Sequence, residues 1–171
     1  VDKGGIHAVN ELYVRFNREA DELMEQEARN YFRLIESGDR EANELFEWFK
    51  KLTIDYVNTI YEKLNISFDS YAGERFYIDK MQPVIDELKQ KGLLKESEGA
   101  QIVDLEPYGM PPCLVLRSDG ASLYATRDLA AAIYRKNTYN FYKCLYVVAY
   151  QQNLHFKQFF KVLELMGKPW A

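Results

Sequence analysis

The sequence predicts an α/β protein: a helical hairpin followed by a partial nucleotide-binding, Rossmann-type unit with a small mixed sheet. Three observations carry that expectation. Apolar residues recur at steps of three and four through the first third of the chain. Strand-like and helical patterns alternate through the last third. Between them the stretch Ile66-Ser67-Phe68-Asp69-Ser70-Tyr71-Ala72-Gly73 is too irregular for a long helix, which divides the chain into 1–66 and 67–171.

Each element follows from its local chemistry. From about Ile6 to Ile35 one long amphipathic helix is expected, with Leu12, Phe16, Ala20, Leu23, Met24, Ala28, Tyr31, Phe32 and Ile35 on its apolar face. Ser37-Gly38-Asp39 stops it and starts the next. Gly38 suits a left-handed C′ position and Asp39 an N-cap. A second helix reaches about Leu64, with Leu45, Phe46, Phe49, Leu52, Tyr56 and Ile60 on one face. A third runs from Asp79 to Lys91 and is closed by Gly92. Strands are expected at Leu93 to Glu96 and Gln101 to Leu105, joined by Glu98-Gly99 as a hairpin. Pro107, Gly109, Pro111 and Pro112 form a loop, because neither a helix nor a central strand tolerates that composition. Strand Cys113 to Leu116, a turn at Arg117 to Gly120 and a helix from about Tyr124 to Arg135 follow. Cys144 to Ala149 is continuously apolar, as a strand buried on both faces should be. A last helix runs from near Asn153 to Met166.

Composition narrows the function classes. A chain of 171 residues can bury one core or two small ones, and 47% hydrophobic against 28% charged residues excludes disorder. The net charge of −4 leaves no overall basic footprint for nucleic acid, so any role beside RNA needs local basic groups or another domain. Cys113 and Cys144 lack Cys-x-x-Cys spacing and read as ordinary thiols in a reducing compartment. With His7 and His155 the only histidines, no zinc site is expected. No apolar run approaches the ~20 residues of a membrane span. Val1-Asp2-Lys3-Gly4-Gly5 has neither an initiator Met nor a signal-peptide core, and reads as a cut inside a longer protein.

The chemistry concentrates in two places. The first is Ser118-Asp119-Gly120-Ala121-Ser122-Leu123-Tyr124-Ala125-Thr126-Arg127-Asp128-Leu129-Ala130-Ala131-Ala132, a turn running into an Ala-rich helix. Tyr124 and Asp128 are four residues apart and share a helix face. Phenol and carboxylate together suit a planar cation, and a guanidinium fork would select Arg over Lys. A carboxylate in a first helical turn is also favoured by the helix dipole alone, by ~0.3–1 kcal/mol. Arg127 points elsewhere and reads as a structural ion-pair partner. The second place is Ala149-Tyr150-Gln151-Gln152-Asn153-Leu154-His155-Phe156, just past the last strand candidate. Ligands of open α/β sheets bind at such strand ends. Gln152 can bond a substrate there and His155 can meet a ribose or phosphate, although loop capping and packing explain the same residues. No P-loop or Gly-x-Gly-x-x-Gly is present, and no catalytic residue or metal ligand is singled out.

Along nearly its whole length the chain resembles arginyl-tRNA synthetases, which are class I synthetases. The resemblance is carried by Glu11 to Phe16, Glu27-Ala28-Arg29, Glu36 to Asp39, Phe68 to Glu74, Glu98-Gly99-Ala100, Gly109 to Leu114, the Ser118 to Ala132 block, Gln152 and His155. It implies that Tyr124, Asp128 and Gln152 line the arginine pocket, with Asp128 taking the guanidinium. It places His155 near the adenosine of ATP. It implies ATP with Mg²⁺ as substrate, no tightly bound cofactor, tRNA(Arg) as acceptor, no membrane partner, a cytoplasmic setting and a monomeric parent. Arginine is activated to arginyl-adenylate and then passed to the tRNA. Two ATP-handling signatures of the class, His-x-Gly-His and a Lys-Met-Ser-Lys-type loop, are missing from these 171 residues. The isolated piece is therefore expected to be inactive. Ala149 stands where the family commonly has Gly, and Gln151 where it commonly has an acidic residue. The competing reading is a non-catalytic module that binds arginine, a nucleotide or a protein partner.

Overall fold

The computed structural model describes residues 4–117 and 124–171. The turn expected at Arg117 to Gly120, and the first part of the Ser118 to Ala132 block, therefore lie largely outside the described residues. The chain divides into two compact units, one ending at Ser70 and the other beginning at Tyr71.

The first unit is helical. It contains α1 (Gly5–Glu19), α2 (Glu22–Ser37) and α3 (Arg40–Lys63). The single helix expected over Ile6 to Ile35 is in fact two. Ala20 leaves helical geometry with ψ 131°. Asp21 then caps α2, its carboxylate accepting from the Met24 backbone N–H at 2.8 Å. The apolar spacing runs on across the break, so periodicity alone hides it. The α2–α3 turn forms as its residues dictate. Gly38 sits at φ 85°, and Asp39 accepts from the Ala42 N–H at 2.9 Å. Packing in this unit is thin. Ala42 is its one buried residue among those described.

The second unit holds the core. A 3₁₀ segment, Glu74–Lys80, leads into α4 (Met81–Gln90). Strands β1 (Leu94–Ser97) and β2 (Ala100–Val103) form an antiparallel hairpin, with Leu94 opposite Val103 and Ser97 opposite Ala100. Its turn places Glu98 at φ 50° and Gly99 at φ 77°. Two successive left-handed residues suit the twist of a two-residue hairpin. Strand β3 (Cys113–Leu116) pairs antiparallel with β2, with an irregularity between Gln101 and Ile102. Then come α5 (Tyr124–Tyr139), a short 3₁₀ turn Tyr150–Gln152, and α6 (Asn153–Leu165). Leu88 of α4, Val103 and Val115 of the sheet, Leu129 of α5, and Phe159 and Val162 of α6 are essentially inaccessible and form one cluster. On α5, Ala130, Ala131 and Ala132 are all buried, and their small side chains let the helix lie close to its neighbours.

Two expectations about the sheet are corrected. It is a three-stranded antiparallel sheet, with no parallel pairing among the described residues, so it is not a mixed sheet. Cys144 to Ala149 is not a strand. A strand needs a partner along an edge to bond, and burial on both faces needs a layer packed over each. Here the segment joins no ladder among the described residues. Tyr146 turns down onto Phe156 and Phe159, with ring centroids at 5.1 and 5.5 Å, while Val147 is 97% exposed.

Candidate functional site

The candidate residues sit on α5 and at the entrance to α6. Helix α5 is fixed to the sheet by Thr126, a fully buried polar residue. Its hydroxyl donates to the Val115 carbonyl on β3 at 2.6 Å. Sequence reading gave Thr126 no role. Helix α6 is fixed by Gln158, whose amide donates to the carbonyl of Pro111 at 2.8 Å. The two helices pack against each other within the second unit.

Their packing joins two of the four predicted residues. His155 Nε2 lies 2.6 Å from Asp128 Oδ2. Both side chains remain partly open, at 29% and 41% exposure. The imidazole is steadied by its own helix: Phe156 meets it edge-on at 5.2 Å, and Phe159 lies nearly parallel at 6.4 Å. Asp128 lies one turn after Tyr124, past the first turn of α5 as described.

Tyr124 and Gln152 are not bonded to that pair. Tyr124 is 68% exposed, and its ring faces the Arg127 guanidinium at 5.7 Å. Gln152 is exposed at the end of the 3₁₀ turn, where its backbone N–H donates to Ala149 at 2.9 Å. Ala149 itself has φ −70° and ψ 148°. That is extended backbone open to any residue, so Ala in place of Gly introduces no strain there.

The neighbouring cation is engaged by another carboxylate. Arg127 Nη1 pairs with Glu74 Oε2 at 2.6 Å. The pair spans 53 residues, so nothing local in the sequence points to Glu74 as the partner. Its effect is electrostatic. The one Arg adjacent to Asp128 in sequence is engaged by Glu74 through Nη1, its buried Nε finding no partner among the described residues, and the Asp128 carboxylate keeps oxygen lone pairs for a ligand.

No cluster of three or more His, Cys, Asp or Glu suited to a metal ion occurs among the described residues. Nor is any described helix long and apolar enough to cross a membrane. Both cysteines are free, Cys113 buried and Cys144 half-buried. Burial pushes the Cys113 thiol up to about 11. Burial likewise pushes the Tyr146 phenol up to about 12, with nearby Cys144 adding to it and Arg135 opposing.

Comparison with known proteins places the chain, by sequence and fold, beside one family. The model of the class I tRNA synthetase (R) catalytic domain matches residues 2–170. An arginine–tRNA ligase of Alkaliphilus metalliredigens is 58% identical over 173 aligned positions, covering 100% of this chain and 31% of that relative. The corresponding ligase of Clostridioides difficile is 57% identical over the same coverage. The crystal structure of Plasmodium falciparum arginyl-tRNA synthetase superposes with a TM-score of 0.74 at 24% identity, over 93% of this chain and 29% of that one. The chain thus spans about a third of the length of the relatives it matches. Matched by the family model along nearly all of its residues, it belongs to the class I arginyl-tRNA synthetase catalytic-domain family.

Proposed function

We propose that this chain is the part of an arginine–tRNA ligase that reads the arginine side chain. The observation that carries the reading is the state of Asp128. It is a partly open carboxylate on a core helix, partnered by an imidazole, while the adjacent Arg127 is occupied by Glu74. A guanidinium offers parallel N–H donors that a carboxylate can accept in pairs. Hydrogen bonds to charged groups contribute ~1.5–3 kcal/mol each, so Asp128 would supply much of the discrimination. Tyr124 and Gln152 complete the pocket in this reading, and His155 lies toward the ATP.

The parent enzyme, a cytoplasmic monomer in this reading, joins arginine to tRNA(Arg) in two steps. The arginine carboxylate attacks the α-phosphate of ATP, releasing pyrophosphate and giving arginyl-adenylate. The terminal adenosine hydroxyl of the tRNA then attacks the activated carbonyl, releasing AMP. Mg²⁺ accompanies the ATP phosphates in this reading. The contribution of this chain is to bind and orient the amino acid. Holding the reactant in place lowers the barrier to the chemistry that other residues perform.

Arginine-dependent ATP–pyrophosphate exchange tests this. The longer protein that carries these residues should catalyse it, and Asp128→Ala should weaken arginine binding by about a hundredfold or more. The 171-residue chain alone should show none. Unchanged arginine affinity in Asp128→Ala would refute the pocket. Exchange by the isolated chain would refute its dependence on the rest of the enzyme.

A further inference from the structure

His155 comes from α6 and Asp128 from α5, 27 residues apart, yet their side chains meet at 2.6 Å. An ionised carboxylate can only accept, so the hydrogen between them sits on Nε2 and the imidazole donates. The ring cannot swing freely. It lies against Phe159, which is 1% exposed and part of the core, and Phe156 closes its edge. The orientation of the imidazole is thus set by the core, and through the hydrogen bond so is that of the carboxylate. One bond to Oδ2 leaves Oδ1 and the second lone pair of Oδ2 available, enough for both arms of a fork.

We infer that His155 is a positioning residue for arginine recognition, holding the Asp128 carboxylate in the orientation that accepts a guanidinium. This rests on the reading of Asp128 as the guanidinium acceptor. A bare aspartate at 41% exposure samples several rotamers, and a ligand must then select one. Fixing it beforehand removes that entropic loss from binding. His155 acts through Asp128 and takes no part in proton transfer.

Steady-state kinetics of the full-length ligase test the inference. His155→Phe keeps a ring against Phe159 and removes the donor. Its arginine KM should rise about tenfold or more, by a larger factor than its ATP KM. His155→Gln returns an N–H donor and should recover most of the arginine KM, which a merely structural histidine would not require. Should the Phe variant fail to fold, by circular dichroism, His155→Ala takes its place under the same criteria. A raised ATP KM with unchanged arginine KM overturns the inference. So does a lowered arginine KM, which would make the imidazole a competitor, and so does a Gln variant no better than Phe. Asp128→Asn separates the two levels. If it raises the arginine KM while His155→Phe does not, only the positioning role falls. If it leaves the arginine KM unchanged, the guanidinium reading falls and the positioning role with it.

Discussion

Thr126 Oγ1 donates to the Val115 carbonyl at 2.6 Å, joining the helix that carries Asp128 to the last strand of the sheet. Both residues are wholly buried. Thr126→Val preserves shape and deletes the hydroxyl, leaving the buried carbonyl unpaired. Urea unfolding should show a loss of ~1–3 kcal/mol. Thr126→Ser retains the donor and should lose less. Equal losses for the two variants would contradict the importance of the bond.

Gly38 and Gly73 make a matched pair for backbone substitution. No heavy atom lies within 4 Å of a Cβ built at either, so neither change meets a steric clash. Gly38 is left-handed at φ 85°, and Gly38→Ala should destabilise the first unit by ~1–2 kcal/mol. Gly73 has φ −75° and ψ −179°, which alanine adopts freely. Gly73→Ala should be neutral or stabilise by up to ~1 kcal/mol through the unfolded state. Denaturation midpoints measure both.

Stability of the second unit should fall in alkali. The Cys113 thiol is raised on folding from 9.0 to about 11, and the Tyr146 phenol from 10.0 to about 12. Between each pair of values the folded chain holds a proton that the unfolded chain has lost. The slope of unfolding free energy against pH is then negative. The stabilisation from the neutral thiol is complete below pH 9 and is lost as pH rises toward 11. The phenol follows from about 10 to 12. Cys113→Ala should flatten the first part of that decline in a pH series of urea melts. The same thiol should resist iodoacetamide in the native state, with half-buried Cys144 modified first by peptide mass mapping.

The Arg127–Glu74 ion pair should matter more for charge placement than for stability. Glu74 is 68% exposed but Arg127 only 18%, so the pair is solvent-screened on one side only. Glu74→Gln should therefore lower stability modestly, by ~1–2 kcal/mol in a urea melt. It frees the Arg127 guanidinium beside Asp128, however, and arginine affinity should fall through competition. Calorimetry on the full-length protein decides this; unchanged affinity would show that Arg127 does not compete.

What the sequence made legible was local. Gly38-Asp39 predicts a stop and a start because both act within one turn, and the structure has both. Glu98-Gly99 predicts the hairpin for the same reason. The break at Ala20 escaped because a single Asp21 cap interrupts an apolar spacing that continues unchanged on either side. Cys144 to Ala149 was misread because an apolar run states a preference for burial, whereas a strand also needs a partner to bond. Within the candidate site, Tyr124 and Asp128 were paired by helix spacing, and Gln152 and His155 were placed by their position after an expected strand. The Asp128–His155 bond and the Arg127–Glu74 pair were not readable. Each joins residues distant in sequence, and tertiary packing alone brings them together.

The unpaired, apolar Cys144 to Ala149 segment also governs how a sample of this chain will behave in a tube. Leu145 is 76% exposed, Val147 97% and Val148 41%, in a run with neither charge nor proline. Such runs are templates for intermolecular β-pairing. Colloidal solubility should be limited by this one stretch: turbidity should grow with protein concentration and with sulfate, and a lysine at Val147 should suppress it.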